Sequence, residues 1–206
     1  MRSLLLVLVA SLVATAVAQA APVNLVVNGS FETTTVANGS WVNTGNVSGW
    51  QVVGGPGSGF EVRNGAVGTA HGGSKFIELD TNGNTVIEQR FDSLLEGGTY
   101  SLNFWYSPRI GQSAATNGLS LFWNGAALAS NITATGGSAN LWAEYHFNVA
   151  ALSGVNSLRF ASVGTSDGLG GNLDDVSLTA RVPEPATAGL IAIALGALGW
   201  ARRRKA

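Results

Sequence analysis

Cysteine is missing from the 206 residues, and with it any disulfide. A chain sent to an oxidising compartment must then hold its fold by core packing, helped at most by a metal ion. A basic stripe is missing as well, which argues against nucleic acid as a partner. Over residues 21–181 the basic side chains are Arg63, Lys75, Arg90, Arg109, Arg159 and Arg181. They face Glu32, Glu61, Glu78, Asp80, Glu88, Asp92, Glu96, Glu144, Asp167, Asp174 and Asp175. Six basic against eleven acidic residues gives this stretch a formal charge of −5, which the whole-chain value of −1 conceals. Long helical periodicity and internal repeats are also lacking, so helix bundles and repeat arrays drop out.

What is present starts with the two ends. Met1-Arg2-Ser3 is a minimal positive region, residues 4–17 are almost wholly apolar, and Ala18-Gln19-Ala20 has the small residues that signal peptidase requires. A signal peptide over 1–20 is therefore expected, with cleavage after Ala20. At the other end, residues 186–201 form an uncharged Ala- and Gly-rich run ending in Trp200, shorter than the roughly 20 residues of an ordinary span. Arg202, Arg203, Arg204 and Lys205 would keep that end in the cytoplasm and the body outside. The whole arrangement, Val182-Pro183-Glu184-Pro185, one short apolar helix and a basic cluster, resembles the PEP-CTERM sorting signal of Gram-negative bacteria. That resemblance implies processing by an exosortase, a membrane-anchored precursor, and a final place at the cell surface or outside the cell. It also implies an association with exopolysaccharide and biofilm. Pro183 and Pro185 would hold the recognition segment extended.

Residues 21–181 have the size of one domain and read as strands and turns. In 100–107, Tyr100, Leu102, Phe104 and Tyr106 point one way, and Ser101, Asn103, Trp105 and Ser107 the other. In 141–149, Leu141, Ala143, Tyr145, Phe147 and Val149 alternate with Trp142, Glu144, His146 and Asn148. Residues 119–123 set Leu119, Leu121 and Trp123 against Ser120 and Phe122. Further strands are expected at 25–27, 51–53, 59–62, 75–79, 86–91, 157–161 and 175–179. Asn82-Gly83 and Asn124-Gly125 read as hairpin turns, and 33–49 reads as a long loop carrying Trp41. The expected fold is all-β, an antiparallel sandwich.

Asn24-Leu-Val-Val-Asn-Gly-Ser-Phe-Glu32, Gly49-Trp50, Gly97-Gly-Thr-Tyr-Ser-Leu-Asn-Phe104 and Leu173-Asp-Asp-Val-Ser-Leu178 occur in the order seen in galactose-binding-like jelly rolls, which include many carbohydrate-binding modules. The chain resembles that group over nearly the whole of 21–181. His71-Gly72, Glu78-Leu79-Asp80, Gln89 and Tyr106-Ser-Pro-Arg109 are similar to a sub-group found in plant cell walls and bacterial exported proteins. The resemblance implies a structural calcium ion held by Glu32 and Asp174 or Asp175, since calcium takes hard oxygen ligands and can tie distant segments together.

The domain's side chains bear on three chemistries. Gly164-Thr-Ser166-Asp-Gly168 satisfies a nucleophile pattern, but only a strand–turn–helix elbow gives that pattern meaning, and here it precedes a strand. His71 and His146 are the only bases available, and Glu78, Asp80, Glu88 and Glu144 form no distinctive acid pair. The expectation is therefore a non-catalytic protein. Asp80-Thr-Asn82-Gly-Asn84 lacks the glycine and glutamate of a calcium loop. Sugar binding needs aromatic faces beside groups that bond hydroxyls. Asn103, Trp105, Phe122, Trp142, Glu144, His146 and Asn148, with Arg109, supply both, so polysaccharide is the expected ligand. The competing expectation is a structural or adhesive matrix protein, its outward aromatics covered by a loop such as 33–49. Trp50 and Trp123 are expected in the core.

Overall fold

Every regular element between residues 22 and 181, the part that the computed structural model describes, is a strand. They are β1 Ser40–Thr44, β2 Gln51–Gly54, β3 Phe60–Asn64, β4 Lys75–Glu78, β5 Val86–Phe91 and β6 Thr99–Ser107. After these come β7 Gly118–Trp123, β8 Ala126–Ile132, β9 Ala143–Ala150, β10 Asn156–Val163 and β11 Asn172–Ala180. Among the described residues no helix is long and apolar enough to cross a membrane. The expected signal peptide and tail helix lie outside them.

The strands form two antiparallel sheets, one ordered β1-β3-β4-β11-β6-β9 and the other β2-β5-β10-β7-β8. Period-two alternation makes one face of each sheet apolar, and those faces meet. Tyr100, Leu102, Phe104 and Tyr106 of β6 are buried against a core that includes Ile87, Leu121, Leu158 and Phe160 of the second sheet. Phe104 meets Phe160 edge-on, with centroids 5.0 Å apart, a favoured aromatic geometry. Trp50 packs between Phe31 and Phe160. Trp123 is also buried, and its indole N–H donates to the Ala150 carbonyl at 2.8 Å. Both tryptophans are core residues, as the sequence suggests.

Four departures from the sequence reading have local causes. Residues 25–27 do not form a strand: the Asn24 side-chain oxygen accepts the N–H groups of Val26 and Leu178, standing in for a ladder. The 33–49 stretch contains β1, an edge strand paired only with β3, whose exposed residues show no apolar alternation. Strand β8 is similarly inconspicuous, being Ala- and Asn-rich at the other sheet's edge. Strand β11 begins at Asn172 and carries a register shift between Asp174 and Ser177, with Asp175 at φ 45°. Such a bulge re-aims side chains within a strand.

Candidate functional site

Pairing of β6 with β9 sets Trp105 beside Glu144, Asn103 beside His146, and Ser101 beside Asn148 on the face away from the core. Five of the eight sugar-site residues expected from sequence thus come together: Asn103, Trp105, Glu144, His146 and Asn148. His146 Nδ1–H donates to Asn103 Oδ1, while Glu144, His146 and Asn148 are exposed. Trp142 precedes β9 and joins the same surface. Its ring meets Phe76 edge-on at 5.8 Å, and its N–H donates to the Thr69 carbonyl at 3.0 Å.

The β3–β4 loop, residues 65–74, lies over this face. His71 stacks on Trp105 with ring centroids 3.7 Å apart and 14° between the planes, and Thr69 N–H donates to Asn140 Oδ1 at 2.8 Å. The covering segment is therefore 65–74, and not 33–49. Stacking by His71 is the feature that sequence reasoning missed. The run His71-Gly72-Gly73 held the signal, because a Cβ on either glycine would lie 2.4 Å from a carboxylate oxygen, of Asp175 and Glu32 respectively. Only glycine lets the loop approach so closely.

Three acidic residues hold that loop down. His71 and Gly72 N–H groups donate to Asp174 Oδ2 at 2.8 and 3.2 Å, and Asp175 N–H donates to Oδ1 at 2.7 Å. His71 Nδ1–H donates to Asp175 Oδ2 at 2.6 Å. Ser74 and Lys75 N–H groups both reach Glu32 Oε1 at 2.7 Å, while Ser74 Oγ and Lys75 Nζ reach Oε2 at 2.9 and 3.2 Å. Burial alone would raise the Glu32 pKa, but these donors outweigh it and the net shift is downward. Asp174 goes the other way: burial, then the neighbouring Asp175 charge, push it up to about 7 against its three N–H donors.

Glu32, Asp174 and Asp175 do converge on one loop, the placement expected of calcium ligands. Their oxygens, however, are turned to N–H donors, and Lys75 supplies the counter-charge to Glu32. The described residues contain no group of three or more His, Asp or Glu side chains arranged to hold a metal ion. As it stands the arrangement is a carboxylate–amide clasp and does not fit a cation shell.

Two of the expected sugar-site residues lie elsewhere. Arg109 is drawn into a buried ion cluster, where its Nη1 donates to Glu78 Oε2. Arg63, fully buried, donates to Glu61 Oε1 at 2.6 Å, to Asn172 Oδ1 at 3.2 Å, and to the same Glu78 oxygen. Alternation turned Glu61, Arg63 and Glu78 outward, yet all three are buried, closed in by Arg109, the Gly170 N–H and Asn172, and only mutual pairing makes that burial tolerable. Phe122 sits on β7, so it faces away on the opposite side of the sandwich. Ser166 lies in the β10–β11 loop, where its Oγ accepts the Asn84 N–H at 2.9 Å. The next regular element after it is strand β11.

Residues 181–205 match the PEP-CTERM protein-sorting motif. Over 124 residues, 60% of this chain, the sequence is 32% identical to a multifunctional-autoprocessing repeats-in-toxin protein of Vibrio cholerae serotype O1. The chain spans only 3% of that protein's length and 2% of its Vibrio vulnificus counterpart. Among solved structures, a CBM61 module in complex with β-1,4-galactotriose aligns with TM-score 0.51 and 20% identity, covering 77% of this chain and 99% of that one. A family 16 carbohydrate-binding module aligns with TM-score 0.50 and 16% identity, covering 76% and 99%. The chain thus joins a domain with the jelly-roll fold of carbohydrate-binding modules to a PEP-CTERM sorting motif.

Proposed function

We propose that this is an exported, non-catalytic protein that binds polysaccharide through the outward face of β6 and β9 and serves in an extracellular matrix or biofilm. The observation that carries the reading is the side-by-side array of Asn103, Trp105, Glu144, His146 and Asn148, flanked by Trp142 and capped by His71. Rings with amide, carboxylate and imidazole neighbours suit a sugar's apolar face and hydroxyls. The sorting motif supports export and exosortase handling of the precursor.

A pull-down of the full-length protein on β-1,4-galactan and on the host cell's own exopolysaccharide tests the proposal. Galactan is chosen because the CBM61 relative was solved with a galactotriose. Glu144→Ala and Asn148→Ala touch exposed side chains and should weaken retention severalfold without altering the melting temperature. Retention by neither polymer would remove the proposal.

The second reading, a matrix protein without a sugar site, has its own observation. The Trp105 face is occupied by His71 and the Trp142 N–H by Thr69, so both rings are used to dock the loop. On that reading Trp105→Ala loosens residues 65–74, and no polysaccharide is retained by any variant.

A further inference from the structure

The opposite side of the sandwich carries a second polar strip. Antiparallel pairing sets Gln51 of β2 beside Glu88 of β5, Glu88 beside Arg159 of β10, and Arg159 beside Phe122 of β7. Their neighbours Ile87, Leu158, Phe160, Leu121 and Trp123 are core residues, so this row faces outward. An amide, a carboxylate, a guanidinium and an aromatic ring therefore stand in line across four strands, about 14 Å in all at the usual strand spacing.

Hollows flank the row. A cleft of about 660 Å³ opens at its β2–β5 end, walled by the loop at 45–49 and floored by Gln51, Glu88 and Arg90. A smaller hollow of about 280 Å³ is lined by Val86, Phe122, Gly125, Arg159 and Ala161 at the other.

Charge separates this strip from the β6–β9 face. Elsewhere in this acidic domain Arg63 and Arg109 are committed to Glu78, and Lys75 to Glu32. On the second sheet, Arg90 and Arg159 share a single carboxylate, Glu88, which they bury almost completely. Arg159 uses Nε for that bond, leaving its terminal nitrogens without a carboxylate partner among the described residues. Arg90 approaches Glu88 at 3.5 Å and is largely exposed. Two guanidiniums against one carboxylate leave a local surplus of positive charge in a domain that is negative overall.

We infer that this strip is a separate binding site for an acidic polysaccharide, with Arg90 and Arg159 pairing sugar carboxylates and Phe122 stacking on a ring. Guanidinium matches carboxylate geometry and forms the stronger, charge-assisted kind of hydrogen bond. The glycan would lie across the strands, following the row. With the β6–β9 face on the other sheet, one domain then presents two saccharide surfaces pointing in opposite directions.

Binding of the full-length protein in detergent to polygalacturonate, to its methyl-esterified neutral form and to dextran sulfate tests the inference. Polygalacturonate should bind at least about tenfold tighter than the ester, and Arg90→Gln should lose about tenfold. Arg90 is exposed, so that variant keeps its fold, which a melting curve verifies. Glu88→Gln, if its melting curve is retained, should tighten binding by releasing both guanidiniums. Trp105→Ala and Glu144→Ala, on the other sheet, should leave polygalacturonate binding unchanged, which separates this site from the one proposed above. Equal binding of acid and ester, or an unaffected Arg90→Gln, overturns the inference. Preference for dextran sulfate over polygalacturonate overturns the assignment to sugar carboxylates.

Discussion

Arg63 shows how far alternation alone can place a single residue. It lies between Val62 and Asn64 on β3, so its side must be the one away from the core. Sequence stops there. Its complete burial depends on segments far along the chain, because Asn172 bonds it directly and Arg109 closes on the Glu78 that it pairs, which no local pattern announces. Burial, opposed by the Glu61 charge, lowers its pKa to about 10, still high enough for the guanidinium to stay charged at neutral pH. Arg63→Met should leave Glu61 and Glu78 short of a partner and destabilise the domain by about 3 kcal/mol or more, read from urea unfolding. Lys75→Met removes a partly exposed pair with Glu32 and should cost less than about 1 kcal/mol. Asp174 adds a pH dependence. Its carboxyl binds a proton up to about pH 7 in the folded protein, against 3.8 for the ordinary group. Between those values the folded state holds the extra proton, so this contribution is full below the lower value and is lost as pH rises through the upper one. Melting scans in chelator should accordingly show stability falling from pH 4 toward pH 7. Asp174→Asn should flatten the slope, although with its oxygen toward the His71 and Gly72 N–H groups its amide nitrogen cannot accept the Asp175 N–H.

Among the elements, two identical dipeptides separate what sequence can and cannot reveal. Asn124 and Gly125 have φ of 50° and 81° and close the β7–β8 hairpin, the turn that Asn-Gly favours. Asn82-Gly83 lies on the passage from β4 to β5, which belong to different sheets, and neither residue has positive φ. The dipeptide marks a turn in both places; sheet membership depends on partners far away in the chain. Gly125→Ala meets no neighbouring atom but must hold a left-handed backbone, so it should cost about 1 kcal/mol. Gly83→Ala carries no such backbone strain, but its Cβ would crowd Ser166 Oγ, Pro56 Cγ and the Gly57 backbone N at 3.1, 3.2 and 3.4 Å, so its cost comes from packing instead. The loop at 71–75 gives the third comparison. Glu32 and Asp174 were legible as a pair that would meet, from the family resemblance of the first and last segments. Their partners, backbone N–H groups, were not, because any residue supplies one. The clasp predicts an unchanged melting temperature on chelation, and a lower one for Glu32→Ala with or without chelator. A fall on chelation that calcium reverses would place an ion at these carboxylates.

At the scale of the molecule, the domain's two ends leave from one strand. Asn24 Nδ2 donates to the Val176 carbonyl at 3.2 Å, and Leu25 N–H to that of Leu178 at 2.8 Å, so the entering chain lies along β11. Strand β11 is interior to its sheet, held between β4 and β6, and the final backbone bond runs from Arg181 N–H to the Thr99 carbonyl. Among the described residues the last strand ends at Ala180, and the sorting motif begins at residue 181. Processing and folding should therefore be separable. Replacing Val182, Pro183, Glu184 and Pro185 with alanine should leave the unfolding transition of the domain where it was, measured by near-ultraviolet circular dichroism. The same variant should accumulate in the membrane fraction at the mass of the uncut precursor, while the wild-type chain is recovered at a lower mass. A normally processed variant would count against exosortase recognition of this segment. A shifted unfolding transition would instead mean that residues beyond 181 pack on the sandwich and that its surfaces differ before and after cleavage.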